Sequence, residues 1–158
     1  MEVSPLSEPG AGRREFISDP AGPPRIESLS HVVRAGDFLF VSGFIGTLPG
    51  KPATGSGASW VPGELAEGGI EGETRQTLLN IESALRAAGS SLKDVVKVTA
   101  FLRDVDLDFD AYNRTYIGFF PDNKPARITA QAKVYGRSRI EIDAIAYSVQ
   151  PSSEAPDG

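Results

Sequence analysis

The sequence predicts an α+β domain in which two helices cover one face of a mostly antiparallel sheet. Three observations lead there. The patterning runs strand, strand, helix, strand, helix, strand, strand; two segments carry apolar residues at helical spacing; and another alternates side to side with period two. A length of 158 residues and a hydrophobic content of 40% suit one such domain with a core of its own.

Residues 31–34 and 38–43, joined by Ala35-Gly36-Asp37, have the pattern of a hairpin whose second strand is apolar on both faces. Residues 46–69 then turn to Gly, Pro, Ser and Thr, the composition of a long loop, and loops of that length are usually functional or mobile. Over residues 70–88, Ile70, Thr74, Thr77, Leu78, Ile81, Ala84, Leu85 and Ala88 trace one face of a helix. Glu71 and Glu73 suit its N-terminal dipole, and Gly89 its left-handed cap. The stretch 95–102 is a strand with Val96, Val98, Ala100 and Leu102 on one side and Lys97, Thr99 and Phe101 on the other. A second helix is expected from about residue 108, its aromatics Phe109, Tyr112, Tyr116, Phe119 and Phe120 packing into the core, with Pro121 ending it. Residues 126–134 and 138–149 complete the set as two strands of a hairpin turning at Tyr135-Gly136-Arg137.

Residues 1–27 hold five prolines and three glycines without a signal-like apolar run, and residues 150–158 are similar in composition. Both are expected to be flexible tails around a domain at 28–149. The net charge of −5 and a pI near 4.9 argue against nucleic-acid binding, since phosphate contacts need a basic surface. Without cysteine there is neither a disulfide framework nor a thiolate nucleophile, and no apolar run is long enough for a membrane span. A cytoplasmic protein is the expectation. No zinc, iron or calcium ligand spacing occurs, the lone His31 reads as structural, and no phosphate-loop signature accompanies the glycine-rich stretches.

The segment Lys124-Pro125-Ala126-Arg127 is the best candidate for chemistry. Pro125 biases Lys124 toward extended backbone, which places Arg127 at the start of a strand where a guanidinium can grip a small carboxylate. On the neighbouring strand Glu141 is suited to hold a water as general acid or base. The plainer alternative is a structural ion pair of Arg127 with Glu141 or Asp143. In the last two strands Ile128, Ala130, Ala132, Ile140, Ile142, Ala144 and Ala146 form an apolar set suited to the helix side. That leaves Arg127, Thr129, Gln131, Arg139, Glu141 and Asp143 on an opposite face, mixed with Phe101, Ile145 and Tyr147, as at a subunit interface with polar pockets.

Residues 34–43, 74–81, 88–97 and 124–127 together resemble the Rid family, also called YjgF or reactive intermediate deaminase, collinearly over about residues 30–146. The resemblance implies a chorismate-mutase-like fold and a homotrimer with small-molecule sites between subunits. It also implies hydrolysis of 2-aminoacrylate-type enamines and imines to 2-oxo acids and ammonia, with no metal or organic cofactor. Arg127 matches the family's carboxylate-binding arginine and Glu141 the acid that positions water; Gly43 and Thr129 fall among the substrate contacts. This sequence departs from the family at Leu29, where tyrosine is common, at Phe44, where glutamine is usual, and at Thr129 in place of cysteine. The long 46–69 loop carries Trp60, which is expected either to help cover the cleft or to sit at an exposed or disordered loop tip. Two rival readings share the fold, a non-catalytic trimer that binds small carboxylates or a regulatory partner, and an endoribonuclease or translation inhibitor.

Overall fold

A computed structural model describes residues 14–24, 26–51 and 63–148. Among the described residues six strands form a single sheet: β1 (Arg14–Ile17), β2 (Val32–Ala35), β3 (Phe38–Phe44), β4 (Val95–Leu102), β5 (Ala126–Gln131) and β6 (Ile140–Tyr147). The helices are α1 (Gly69–Ala87) and α2 (Val105–Phe119). The spatial order is β1-β2-β3-β6-β4-β5, with β4 and β5 parallel and every other pair antiparallel.

Both helices lie on the same side. Leu78, Ile81 and Leu85 of α1 and Tyr112 and Tyr116 of α2 meet Leu39, Val98, Leu102, Ile140 and Ile142 of the sheet in one buried cluster. Gly89, at φ 74, terminates α1 as expected. Helix α2 begins three residues earlier than its aromatics suggest, because the Asp104 side chain caps it by accepting from the Leu107 N–H at 3.0 Å. Among the described residues no helix is long and apolar enough to cross a membrane.

Four expectations are overturned. Residues 14–17, placed in a flexible tail, form β1; its ladder with β2 and the Arg34–Glu15 ion pair at 2.9 Å hold a segment with no apolar period of its own. In β4 a register irregularity between Val95 and Lys97 turns Val95 into the core and leaves Val96 exposed.

Strands β5 and β6 are not a hairpin, because β4 lies between them. Helix α2 makes the crossover that a parallel β4–β5 pair requires. The link from β5 to β6 is carried over the end of β4 by Arg103, which donates to the carbonyls of Val134 (2.8 Å), Gly136 (2.7 Å) and Ser138 (2.8 Å). A glycine turn read in isolation looks like a hairpin; an arginine 31 to 35 residues upstream decides otherwise.

The fourth correction follows from the third. In register, Arg127 pairs with Val98 and Thr129 with Ala100, both on the helix side, whereas Glu141 pairs with Phe101 on the open side. The β6 half of the expected apolar set is buried, but Ile128 of β5 is 55% exposed. The two residues singled out for chemistry therefore project from opposite faces of one sheet.

Candidate functional site

Glu141 opens into a cavity of about 540 Å³ on the open face, formed by β3, the start of β6, the connection before β2 and Tyr135. Of the residues expected at a substrate site, Leu29, Gly43, Phe44 and Glu141 all line it. A bulge between Val41 and Phe44 of β3 presents the Gly43 backbone to the cavity. A Cβ at Gly43 would collide with Glu141 Oε1 and lie 3.1 Å from Cδ, so the missing side chain is what seats the carboxylate. Burial, reinforced by the neighbouring charge of Asp143, raises the Glu141 pKa above the ordinary carboxylate range. Its carboxylate enters no ion pair among the described residues. A half-buried acid of raised pKa beside open space has the properties of a proton-transfer group.

His31, read from sequence as structural, is buried and lines the same cavity, its ring 5.6 Å from that of Phe44. Its Nδ1 accepts from the Asp19 backbone N–H at 2.9 Å, which makes Nε2 the protonated nitrogen of the neutral ring. A lone histidine in a strand gave no signal of this, because the residue that sets its tautomer is 12 positions away in the segment taken for a tail.

Arg127 and Thr129 are not in the cavity. They face α2, where the Arg127 guanidinium lies 4.5 Å from the Tyr116 ring centroid and 5.4 Å from that of Tyr112, and its Nη1 donates to Asn113 Oδ1 at 3.0 Å. The Tyr112 and Thr129 hydroxyls stand 3.4 Å apart. Burial, with the neighbouring Tyr112, pushes the Tyr116 phenol up to about 12, while Arg127 acts to lower it. The expected core role of these tyrosines holds; their second role as a shelf for Arg127 was hidden because it depends on which face of β5 the arginine takes. The plain alternative of an Arg127 ion pair with Glu141 or Asp143 does not occur, and among the described residues Arg127 has no acidic partner. Its contacts are neutral, so its full positive charge remains available to an anion.

Sequence reasoning also missed two buried acids. Glu73, assigned to the helix dipole, accepts from the Ser138 hydroxyl and the Arg139 N–H, each at 2.8 Å, and ties α1 to the start of β6. Asp108 binds Arg139 through two hydrogen bonds, at 2.6 and 3.0 Å. Both steady the strand end from which Glu141 projects. Trp60 lies outside the described residues.

The two-helix, six-stranded layer with a cavity on its open face defines an α+β protein of the YjgF/Rid fold. Residues 21–148 match the family described as Endoribonuclease L-PSP, and the chain belongs to that family, the one that includes YjgF and RidA. It is 40% identical over 135 residues to a RutC family protein of Pyrococcus horikoshii, covering 85% of this chain and 98% of that one. It is 37% identical over 134 residues to the 2-iminobutanoate/2-iminopropanoate deaminase of Rattus norvegicus, covering 84% and 89%. Among solved structures, the YjgF gene product of E. coli is similar with a TM-score of 0.72 and 29% identity over 84% of this chain and 98% of that one. E. coli TdcF with bound serine has a TM-score of 0.72 and 28% identity over the same shares.

Proposed function

We propose that this protein hydrolyses small 2-imino acids, or the enamines that tautomerise to them, to 2-oxo acids and ammonia. We further propose that it does so as a homotrimer whose sites are completed across subunits. The observation that carries the proposal is the unpaired acid in a cavity on one face and the acid-free arginine on the other. They cannot converge on one small molecule within a chain, but a neighbour can bring its Arg127 to the cavity edge. The exposed Phe38, Phe40, Ile128 and Tyr147 form apolar surface that such an assembly would bury. Relatives named as 2-iminobutanoate/2-iminopropanoate deaminases support the reaction, and the serine bound to TdcF supports a small amino-acid-like ligand.

In this reading Arg127 of one subunit holds the substrate carboxylate with a bidentate pair of charge-assisted hydrogen bonds. Glu141 of the next takes a proton from water as the water oxygen bonds to the imine carbon, and passes it to the imine nitrogen to give the carbinolamine. Glu141 then takes the carbinolamine hydroxyl proton as the C=O double bond forms and the C–N bond breaks, and hands that proton to the departing nitrogen, which leaves as ammonia. Thr129 and Gly43 are proposed to contribute main-chain contacts, and Leu29 and Phe44 apolar ones. Holding the carboxylate and one water is sufficient catalysis for a reaction that proceeds unaided in water. An endoribonuclease, as the family description names, would need a phosphate-binding surface that a net charge of −5 disfavours.

Complementation between subunits tests both halves of the proposal. Arg127→Ala and Glu141→Ala are each expected to lose about 10²–10⁴ in kcat/KM toward imines generated by an amino-acid oxidase. Refolded together in equal amounts, they should recover about a quarter of wild-type activity, because one site in four then draws its arginine and its acid from intact copies. Two impaired variants that stay impaired when mixed would refute the shared site. Full activity in either variant alone would refute the chemistry.

A further inference from the structure

Within one chain, the volume beside Glu141, to whose edge the proposed neighbour brings its Arg127, is larger than a three-carbon imino acid needs. At about 30 Å³ per water, 540 Å³ corresponds to about eighteen waters, while such a substrate has about six heavy atoms. Much of the wall is apolar, with Pro23, Ile26, Leu29, Phe44 and Ile45 facing the space. Two of the polar wall groups are already engaged. The Ser42 hydroxyl donates to the Ser30 carbonyl at 2.6 Å, and His31 Nδ1 accepts from Asp19 N–H. Glu141 is the one acid in the lining and no lysine or arginine faces it among the described residues. A substrate side chain with a carboxylate would meet like charge there, and a hydroxyl turned to the apolar wall would give up its water for no partner. A hydrocarbon side chain suffers neither penalty.

From this cavity we infer that the site selects 2-imino acids with bulky apolar side chains, such as those formed when the amines of leucine, methionine or phenylalanine are oxidised, with Leu29 and Phe44 as the specificity-determining contacts. The inference rests on the deaminase reading above and adds the substrate class to it. The reaction that supplies the substrate is then an amine oxidation of hydrophobic amino acids rather than a dehydration of serine. Each methylene moved from water into the apolar wall multiplies kcat/KM about four-fold, so the isobutyl group of the leucine-derived imine gives an advantage of about sixty-fold over the methyl of the alanine-derived one.

The test compares imines that one amino-acid oxidase generates from alanine, leucine and phenylalanine, using the wild type, Leu29→Ser and Phe44→Gln. Leu29 lies in a loop and is only half-buried, so its variant keeps the comparison interpretable if substitution of the core residue Phe44 prevents folding. The expected result is a wild-type leucine-to-alanine ratio in kcat/KM of at least about ten that falls toward one in the variants. A wild-type ratio near one would overturn the selectivity and leave the deaminase reading standing. A high ratio that both folded variants keep would overturn the roles of Leu29 and Phe44. No acceleration of any imine would overturn the deaminase reading, and this inference with it.

Discussion

Substituting Gly43→Ala should separate activity from stability. The three atoms nearest to an added Cβ all belong to Glu141, and the clash with Oε1 leaves the carboxylate no choice but to rotate away. The backbone itself has no objection, since Gly43 is not among the glycines with positive φ and its strand position is exposed. Replacing such a glycine by alanine stabilises by about 0.4–1 kcal/mol through the unfolded chain, or about 1–4 °C in Tm at this size. Rotation also takes a partly buried charge toward water, which relieves the desolvation that raises the Glu141 pKa. A catalytic acid displaced in this way should cost about 10²–10⁴ in kcat/KM. The assay is imine hydrolysis alongside thermal melting, repeated in a Glu141→Ala background where the clash is gone. There Gly43→Ala should add almost nothing to the loss, a non-additivity expected of two residues acting through one group. Wild-type kcat/KM in Gly43→Ala, or an equal further loss in the Glu141→Ala background, would refute the view that this glycine exists to seat the acid.

Two other outcomes follow from the same geometry. Arg127→Lys keeps the charge but loses the fork and the flat stack on Tyr116, so one charge-assisted hydrogen bond of about 1.5–3 kcal/mol should disappear as a roughly 13- to 160-fold rise in KM; an unchanged KM would exclude carboxylate binding by this residue. Glu141→Gln should abolish activity and change stability in a pH-dependent way. Because the folded-state pKa is raised, the folded protein loses stability as pH climbs from the ordinary glutamate range through the raised value. The variant should thus melt higher than wild type at about pH 8 and no higher at about pH 4, and the opposite trend in melting curves would contradict a desolvated carboxylate.

What could be read from the residues depended on how local the determining contacts are. The period of Ile70, Leu78, Ile81 and Leu85 declares α1, and the alternation from Val98 to Leu102 declares β4, because each pattern is complete within its own segment. The cavity group of Leu29, Gly43, Phe44 and Glu141 was accessible through family resemblance. The side of the sheet that Arg127 takes was not. It is set by a parallel pairing with β4 and by the grip of Arg103 on a distant connection, and slipping from a hairpin to that pairing reverses every side chain of β5. The strand at Arg14–Ile17 was equally illegible, since its ladder with Val32–Ala35 rather than its own composition makes it a strand.

The back-to-back placement of Arg127 and Glu141 reaches beyond the chemistry of one site. On the proposed shared site, a newly made chain carries two half-sites and no whole one, so output at low expression should climb more steeply than protein abundance. An allele defective at both residues would spoil the neighbour's pocket as well as its own, and in an equal mixture only about one site in four would stay whole, a loss greater than its share of the copies.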